Sequence, residues 1–336
     1  MSYKYKESLL DICWALLLVS LPVTSFTPLS RLFGGTSVAP LSAIFLSVLA
    51  ILYFLPHFIK TKLVPIHSLP ILVFFLITLL TFAMSTFIPF ESFRDASFFR
   101  NAFEGFVTLA MGIGFYLITI FVIRDEKSLK KTIYWIYVGS IIIIFTSLLQ
   151  AISWQFLGYY PQFLWNIQSI FSSRGMLFEN RVTGMAFEPS WLAHQLNTLY
   201  IPLWLGFSVK NISISKKRIF GILSLENILL VLGLGVLFLS FSRIGWLTTL
   251  VVFAFVIFYI ANQAINHWLS QRNKASGKTI SRTHYFITKF GMWVGLLLVV
   301  GLMILASGVL LSRIDPRTSE LFNIERLRRF GVLGWA

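Results

Sequence analysis

Apolar residues in this chain come in long unbroken runs rather than in strict alternation or narrow helical stripes. The runs cover about 9–28, 39–59, 66–88, 105–123, 132–154, 190–209, 226–242, 245–262 and 287–308. A helix needs about 20 apolar residues to cross the hydrocarbon core, whereas a barrel strand needs only about ten, alternating. The pattern therefore predicts an all-α, polytopic integral membrane bundle of about nine transmembrane helices. Pro22, Pro40, Pro70 and Pro202 fall in or near the runs, where neighbouring helices can satisfy the carbonyls that a proline frees. On one side the connections are 57–65, 124–131, 210–218 and the longer 263–286, which is polar, basic and expected to be flexible. On the other side lie 89–104, 157–189 and 312–336. The stretch PFESFRDASFFRNAFE at 89–104 alternates charges with phenylalanines, as an amphipathic helix lying in the interface does. No internal repeat or low-complexity tract divides the sequence, and a single domain over 1–336 is expected.

Composition agrees with a membrane bundle. Hydrophobic residues make up 57% of the chain and charged ones 12%, against about 25% charged in soluble domains. Aromatic residues, at 16%, suit interfacial belts as well as packing. A net charge of +15 would fit nucleic-acid binding, but the placement of the lysines argues against it. With the N-terminus inside, every lysine falls in an inside segment: Lys4, Lys6, Lys60, Lys62, Lys127, Lys130, Lys131, Lys210, Lys216, Lys217, Lys274, Lys278 and Lys289. There they set topology and meet anionic lipid headgroups.

The outside carries arginine without lysine, at positions 31, 94, 100, 174, 181, 243, 313, 317, 326, 328 and 329. The topology rule accounts for the lysines and leaves these arginines unexplained. Arginine is the side chain whose rigid fork grips phosphate through paired hydrogen bonds. The division points to a membrane protein that handles an anionic, phosphate-bearing ligand on its outer face. The one cysteine, Cys13, excludes an internal disulfide and a cysteine-cluster metal site. The start MSYKYKESLLDICWALLLVS has no small-residue cleavage site after it and reads as an uncleaved first helix. Asn211-Ile212-Ser213 matches a glycosylation acceptor but falls on the inside.

Three clusters carry candidate chemistry. The segment SSRGMLFENRVTGMAFEPSWLAHQL, 172–196, places Arg174, Glu179, Arg181 and Glu188 outside, just before a span, with Gly175 and Gly184 allowing a tight path. Ordinary helix-start chemistry competes for the same residues: Pro189 suits a first helical position, Glu188 suits the positive helix end, and Arg181 could serve only to neutralise Glu188. The segment FLSFSRIGWL, 238–247, puts Ser242 and Arg243 between two apolar runs, at the depth of a headgroup phosphate. The next helix would turn free N–H groups toward an anion there, although an arginine at a helix end can also cap carbonyls or snorkel. The stretch SRIDPRTSELFNIERLRRF, 312–330, reads first as a solvated amphipathic segment, with Arg326, Arg328 and Arg329 as further anion ligands. His57, His67, His267 and His284 fall inside, leaving His194 as the histidine near the outer face, either packed or a base. No acidic pair or histidine cluster has metal-ligand spacing, and no P-loop marks an ATP site. No cofactor or metal is expected.

The run RVTGMAFEPSWLAHQL, 181–196, followed by LFLSFSRIGWLTTLVVF, 237–253, resembles the O-antigen ligase and O-antigen polymerase superfamily of bacterial envelope proteins. Ser242-Arg243 and the Arg181…Gly184…Glu188-Pro189 run carry the motif. Hydropathy and loop order extend the resemblance over about 100–336. The resemblance implies a GT-C-like, metal-independent glycosyltransferase in the bacterial cytoplasmic (inner) membrane, N-terminus inside, serving surface polysaccharide and cell envelope biogenesis. Its donor would be a glycan on undecaprenyl pyrophosphate, and its acceptor another glycan (polymerase) or a lipid (ligase). Arg243 would contact the diphosphate beside Ser242, with Arg181 or Arg174 as second clamp. Glu188 or Glu179 would serve as base, with His194 the remaining candidate.

The family pattern continues beyond NIERLRRFGVLGWA, 323–336, into an outer loop with a functional histidine and further spans. The sequence ends where that loop would begin, so a C-terminally truncated, inactive chain is an expectation. Ligase, polymerase and oligomeric state stay open. A transporter or flippase of lipid-linked sugars is the alternative. It calls for ionisable residues inside the spans, where few are found: Asp11 and Glu226 lie near inside ends, and the spans are otherwise almost uncharged. A noncatalytic membrane scaffold is the third reading, and it would tolerate lysine in place of the outer arginines.

Overall fold

A computed structural model describes residues 3–61, 66–85, 87, 98–215, 218, 223–276, 286–287, 289–295, 297–298 and 301–302. Every regular element among them is helical. In chain order these are α1 (Tyr3–Val19), α2 (Thr27–Leu32), α3 (Ser42–Thr61), α4 (Ile66–Ser85), α5 (Phe98–Val122), α6 (Glu126–Leu157), α7 (Gln162–Phe171), α8 (189–209), α9 (Leu225–Leu239) and α10 (Arg243–Ser276). Among the described residues, five stretches are long and apolar enough to cross a membrane: α3, α4, Ala102–Val122 of α5, α6, and Arg243–Trp268 of α10. The chain is a multi-pass membrane protein on this evidence.

The remaining expected spans differ, each for a local reason. The 9–28 run stops being helical at Val19. Pro22 follows, and the Ser20 hydroxyl turns back to donate to the Leu17 carbonyl at 3.0 Å. The 226–242 run gives a helix of 15 residues, begun where the Ser224 hydroxyl accepts from Asn227 N at 3.3 Å. The 190–209 run is helical, but His194, Gln195 and Asn197 dilute its apolar character. The 263–286 loop is helical as far as Ser276, because no glycine or proline interrupts 246–276. The 98–104 part of the 89–104 segment joins α5. The 89–97 part with Arg94, residues 288, 296, 299–300 and 303–308 of the last run, and 312–336 with its five arginines lie outside the described residues.

The chain divides into two compact units, Met1–Phe241 and Ser242–Ala336. In the first, α1 packs on both α3 and α6, α5 on α3 and α4, and α9 on α6 and α8. Trp14, Leu17, Leu18, Leu46, Leu49 and Ile118 form the seam of α1, α3 and α5. Trp14 Nε1 donates to Thr132 Oγ1 at 2.9 Å and Lys131 pairs with Asp11 at 2.5 Å, so α1 and α6 start at the same end. At α6's start, Asp125 and Ser128 form a reciprocal capping box. The hydrogen bond from Ser128 N holds the Asp125 carboxyl below its ordinary pKa.

Prolines shape two helices. Backbone without an N–H cannot continue the i→i−4 ladder, and the helix widens into a π turn just before Pro56 (Ala50–Phe54) and before Pro202 (Leu196–Tyr200). In the second unit α10 runs 34 residues. Residues 289–295 return along it: Phe258 packs on Trp293 and Lys289 Nζ donates to Asn266 Oδ1 at 3.2 Å.

Candidate functional site

The segment between α6 and α8 is built on buried amides rather than on a sheet. Gln150, in the last turns of α6, is 3% exposed. Its Oε1 accepts from Thr183 N and Gly184 N, both at 2.9 Å, and its Nε2 donates to Gly184 O at 2.8 Å. Gln168 of α7 donates to Ala186 O at 3.3 Å, and the Thr24 hydroxyl accepts from Phe187 N at 2.9 Å. Ser173 N donates to Ser25 O at 2.7 Å. Three distant parts of the chain thus fix the path of 172–188. Gly184 has φ +57, and a Cβ there would lie 2.8 Å from Ser147 Oγ and 3.2 Å from Ile143 Cγ1. Only glycine lets the backbone pass this close to α6.

This frame presents the charged residues. Glu188 is the N-cap of α8, with Pro189 in the first turn. It does not cap with its side chain. Instead Oε1 pairs with Arg174 Nη1, and Oε2 accepts from Ser190 Oγ at 3.2 Å. Arg174 and Glu188 side chains are each about a third exposed, at 33% and 34%. The Arg174 guanidinium lies 5.1 Å from the Phe178 ring centre and 5.5 Å from that of Phe187. Arg181 lies 5.8 Å from the same Phe178 ring. Two cations therefore share one aromatic platform, where the ring quadrupole offsets part of their repulsion. Glu188 is neutralised by Arg174, where the sequence had suggested Arg181.

Arg181 has a structural task. Its Nε donates to Ser240 O at 3.1 Å and its Nη2 to Phe241 O at 3.5 Å, satisfying carbonyls at the end of α9. Val182 N donates to Leu239 O at 3.1 Å beside it. Phe241 has φ +47, a left-handed conformation that costs a bulky residue about 1–3 kcal/mol. Arg181 thus braces a strained turn. Glu179 is exposed, near Tyr160, whose hydroxyl donates to Phe178 O at 2.7 Å. His194 is exposed on α8, and its carbonyl accepts from Thr198 Oγ1 at 2.8 Å.

In the second unit, Ser242 precedes α10 and Arg243 is its first residue. The Ser242 hydroxyl accepts from Gly245 N at 3.2 Å, which is N-cap chemistry. Arg174, Arg181, Glu179 and Glu188 thus occupy one constructed segment of the first unit, and Ser242 and Arg243 a helix start of the second.

Sequence reasoning missed Gln150, Gln168, Thr24 and Tyr160, which hold the backbone of the segment. Gln150 had a readable signal, as a lone amide inside an apolar run. Among the described residues, no group of three or more His, Cys, Asp or Glu is placed to hold a metal ion.

The ends of the helices separate the two kinds of cation. Lys127, Lys130 and Lys131 lie at the start of α6 and Lys210 at the end of α8. Arg174 and Arg181 lie at the opposite ends of those helices, beside the end of α9. Compared with protein-family models, curated proteins and solved structures, the chain finds no match.

Proposed function

We propose that this chain is a glycosyltransferase of the cytoplasmic membrane, of the O-antigen ligase or polymerase type, which takes glycan from undecaprenyl pyrophosphate at the outer face. The observation that carries the reading is the Arg174–Glu188 pair, held on Phe178 and Phe187 at the membrane end opposite the lysines. An arginine fixed over an aromatic face is preorganised for a phosphate. Its present partner is a carboxylate, whose place a donor diphosphate would take. That exchange releases Glu188 to act as general base. Glu188 then accepts the proton of the acceptor hydroxyl as that oxygen bonds to the sugar's anomeric carbon. The bond from that carbon to the diphosphate breaks, and the leaving diphosphate keeps the electron pair and rests on Arg174.

Arg181 acts as a positioning residue in this scheme. Arg243 and Ser242 are the positions that the sequence resemblance assigns to the diphosphate, and the start of α10 offers backbone N–H groups suited to an anion. The two acids at the span ends, Asp11 and Glu226, do not suit a through-path. Asp11 pairs with Lys131, and buried Glu226 accepts from Ser213 Oγ at 2.8 Å and Ile214 N at 2.9 Å. This favours transfer at the surface over transport.

The test is product formation from lipid-linked donor in membranes containing the Arg174→Lys, Arg174→Ala, Arg243→Lys and Arg243→Ala chains at matched protein level. Each lysine variant should lose transfer about tenfold or more, because a point charge cannot reproduce the paired contact. Unchanged product from the alanine variants overturns the reading.

A further inference from the structure

From Thr132 to Ser173 the chain carries no charged residue, although it leaves the membrane span at Leu157. Ile141, Phe145, Ile152 and Phe156 of α6 are exposed at spacings of four, seven and four, one face of a helix. In a span this is the lipid-facing stripe, and it rises to 80% exposure at Phe156. Residues 158–161 then lead into α7. Fully extended, four residues reach only about 14 Å, so α7 starts close to the membrane boundary.

α7 has three faces. Leu164 and Gln168 are buried against the segment that carries Arg174. Phe163, Ile167 and Ile170, spaced i, i+4, i+7, form an apolar flank, on which Phe163 is 50% and Ile170 52% exposed. Gln162, Asn166 and Ser169 form the third face, all exposed, with Gln162 Nε2 donating to Asn166 Oδ1 at 3.2 Å, and Trp165, 37% exposed, lies between it and the buried face. The helix is tied to other segments near its end, where Thr27 Oγ1 donates to Ser169 O at 2.7 Å and Gln168 Nε2 to Ala186 O at 3.3 Å. Its roll about its own axis is therefore fixed, and with it the direction of each flank.

We propose that the Phe163–Ile167–Ile170 flank of α7 lies in the headgroup–acyl boundary of the membrane that α6 crosses, with the Gln162–Asn166–Ser169 flank facing water. The flank continues the lipid-facing stripe of α6 and nothing charged intervenes. Interfacial helices bury their apolar face about 5–10 Å below the headgroups. Most of them also carry lysine or arginine toward anionic lipid. α7 has neither, so its partner is the zwitterionic or neutral lipid surface and its insertion is insensitive to salt. The consequence is that the Arg174 segment rides at headgroup depth. The inference does not depend on the chain's being a transferase.

Quenching in liposomes tests it. In a Cys13→Ser full-length chain, cysteine is placed singly at Phe163, Ile170, Asn166 or Ser169 and labelled with an environment-sensitive fluorophore. In phosphatidylcholine vesicles, the first two should emit at shorter wavelength, be quenched by lipid bearing a shallow nitroxide and be spared by aqueous iodide. The last two should show the reverse, and neither pattern should change with anionic lipid or high salt. Iodide quenching at 163 and 170 overturns the proposal, as does protection there from both quenchers, which would mean a protein covers the flank. Should labelling disturb the fold, the unsubstituted chain is photolabelled by a carbene-generating lipid. Adducts on Phe163 and Ile170 but not Asn166 support the proposal, and adducts on none of the three overturn it.

Discussion

Tyr160 stands behind the two arginines and is a reporter of how well their frame is formed. Burial first, and the negative charge of Glu179 second, push its phenol up to about 12. In the unfolded chain a tyrosine titrates near about 10. A raised folded value means that the neutral form is favoured in the fold. The contribution is intact below the unfolded value and is lost as pH rises from about 10 through about 12. Phenolate absorbance at Tyr160, read as the difference between wild type and Tyr160→Phe, should therefore appear late. Tyr160→Phe should cost about 1 kcal/mol at neutral pH through the lost bond to Phe178 O, and it should flatten the alkaline decline. Glu179→Gln should bring the phenol's midpoint down. A Tyr160 that titrates at the ordinary value would show that the 178–181 turn does not pack on it. None of this is readable from the sequence, because Tyr160 acts on residues it meets only through the fold. The charged residues were legible for the opposite reason: in a chain this poor in charge, Arg174, Glu179, Arg181 and Glu188 stand out within fifteen positions. Their partners were not. Arg174 rather than Arg181 meets Glu188, because the amides Gln150 and Gln168 set the path between them.

Between elements, α8 and α9 approach closely at Gly233. A Cβ at Gly233 would fall 2.4 Å from Trp204 Cζ3, and Trp204 is walled in by Tyr200, stacked at 5.7 Å. Gly233→Ala should force the two helices apart, at about 1–3 kcal/mol. Trp204→Leu alone should also destabilise, by leaving a cavity. Together the two changes should cost clearly less than their sum, since the smaller side chain makes room for the new methyl. Thermal unfolding of the four proteins in detergent measures this, and simple additivity would rule out the contact. The same helices show where hydropathy reading succeeds and where it stops. α3, α4, α5, α6 and α10 follow their apolar runs because nothing but length and apolarity is needed to form them. α1 ends early because local Ser20–Pro22 chemistry overrides a run that is still apolar. α8 forms despite His194, Gln195 and Asn197 because tertiary packing buries Leu192, Leu196, Tyr200 and Trp204 completely. An average over a window sees neither effect.

At the scale of the whole molecule, the separation of lysine from arginine becomes a claim about sides. α6 begins beside Lys127, Lys130 and Lys131, and α8 ends at Lys210. Between those points the chain crosses with α6 and makes the Arg174–Arg181 segment, and the apolar run 190–209 is expected to return with α8. With α8 as the returning span, Lys210 and Met176 are expected on opposite sides of the bilayer in either orientation. Short-loop lysine bias puts Lys210 in the cytoplasm. In a Cys13→Ser chain, a membrane-impermeant maleimide should label Met176→Cys on spheroplasts at once, since Met176 is 50% exposed. Lys210→Cys should react only after the membrane is opened. The possible departures carry different meanings. Both sites reacting from outside would break the bundle itself, because α6 and α8 could not then run in opposite directions through one membrane. Reversed labelling would keep the bundle and turn it over. The arginine segment would then face the cytoplasm, and an outer-face carrier diphosphate could not be its ligand. The expected pattern alone places Arg174 and Glu188 on the outer side, which the proposed transfer from a carrier-linked sugar requires.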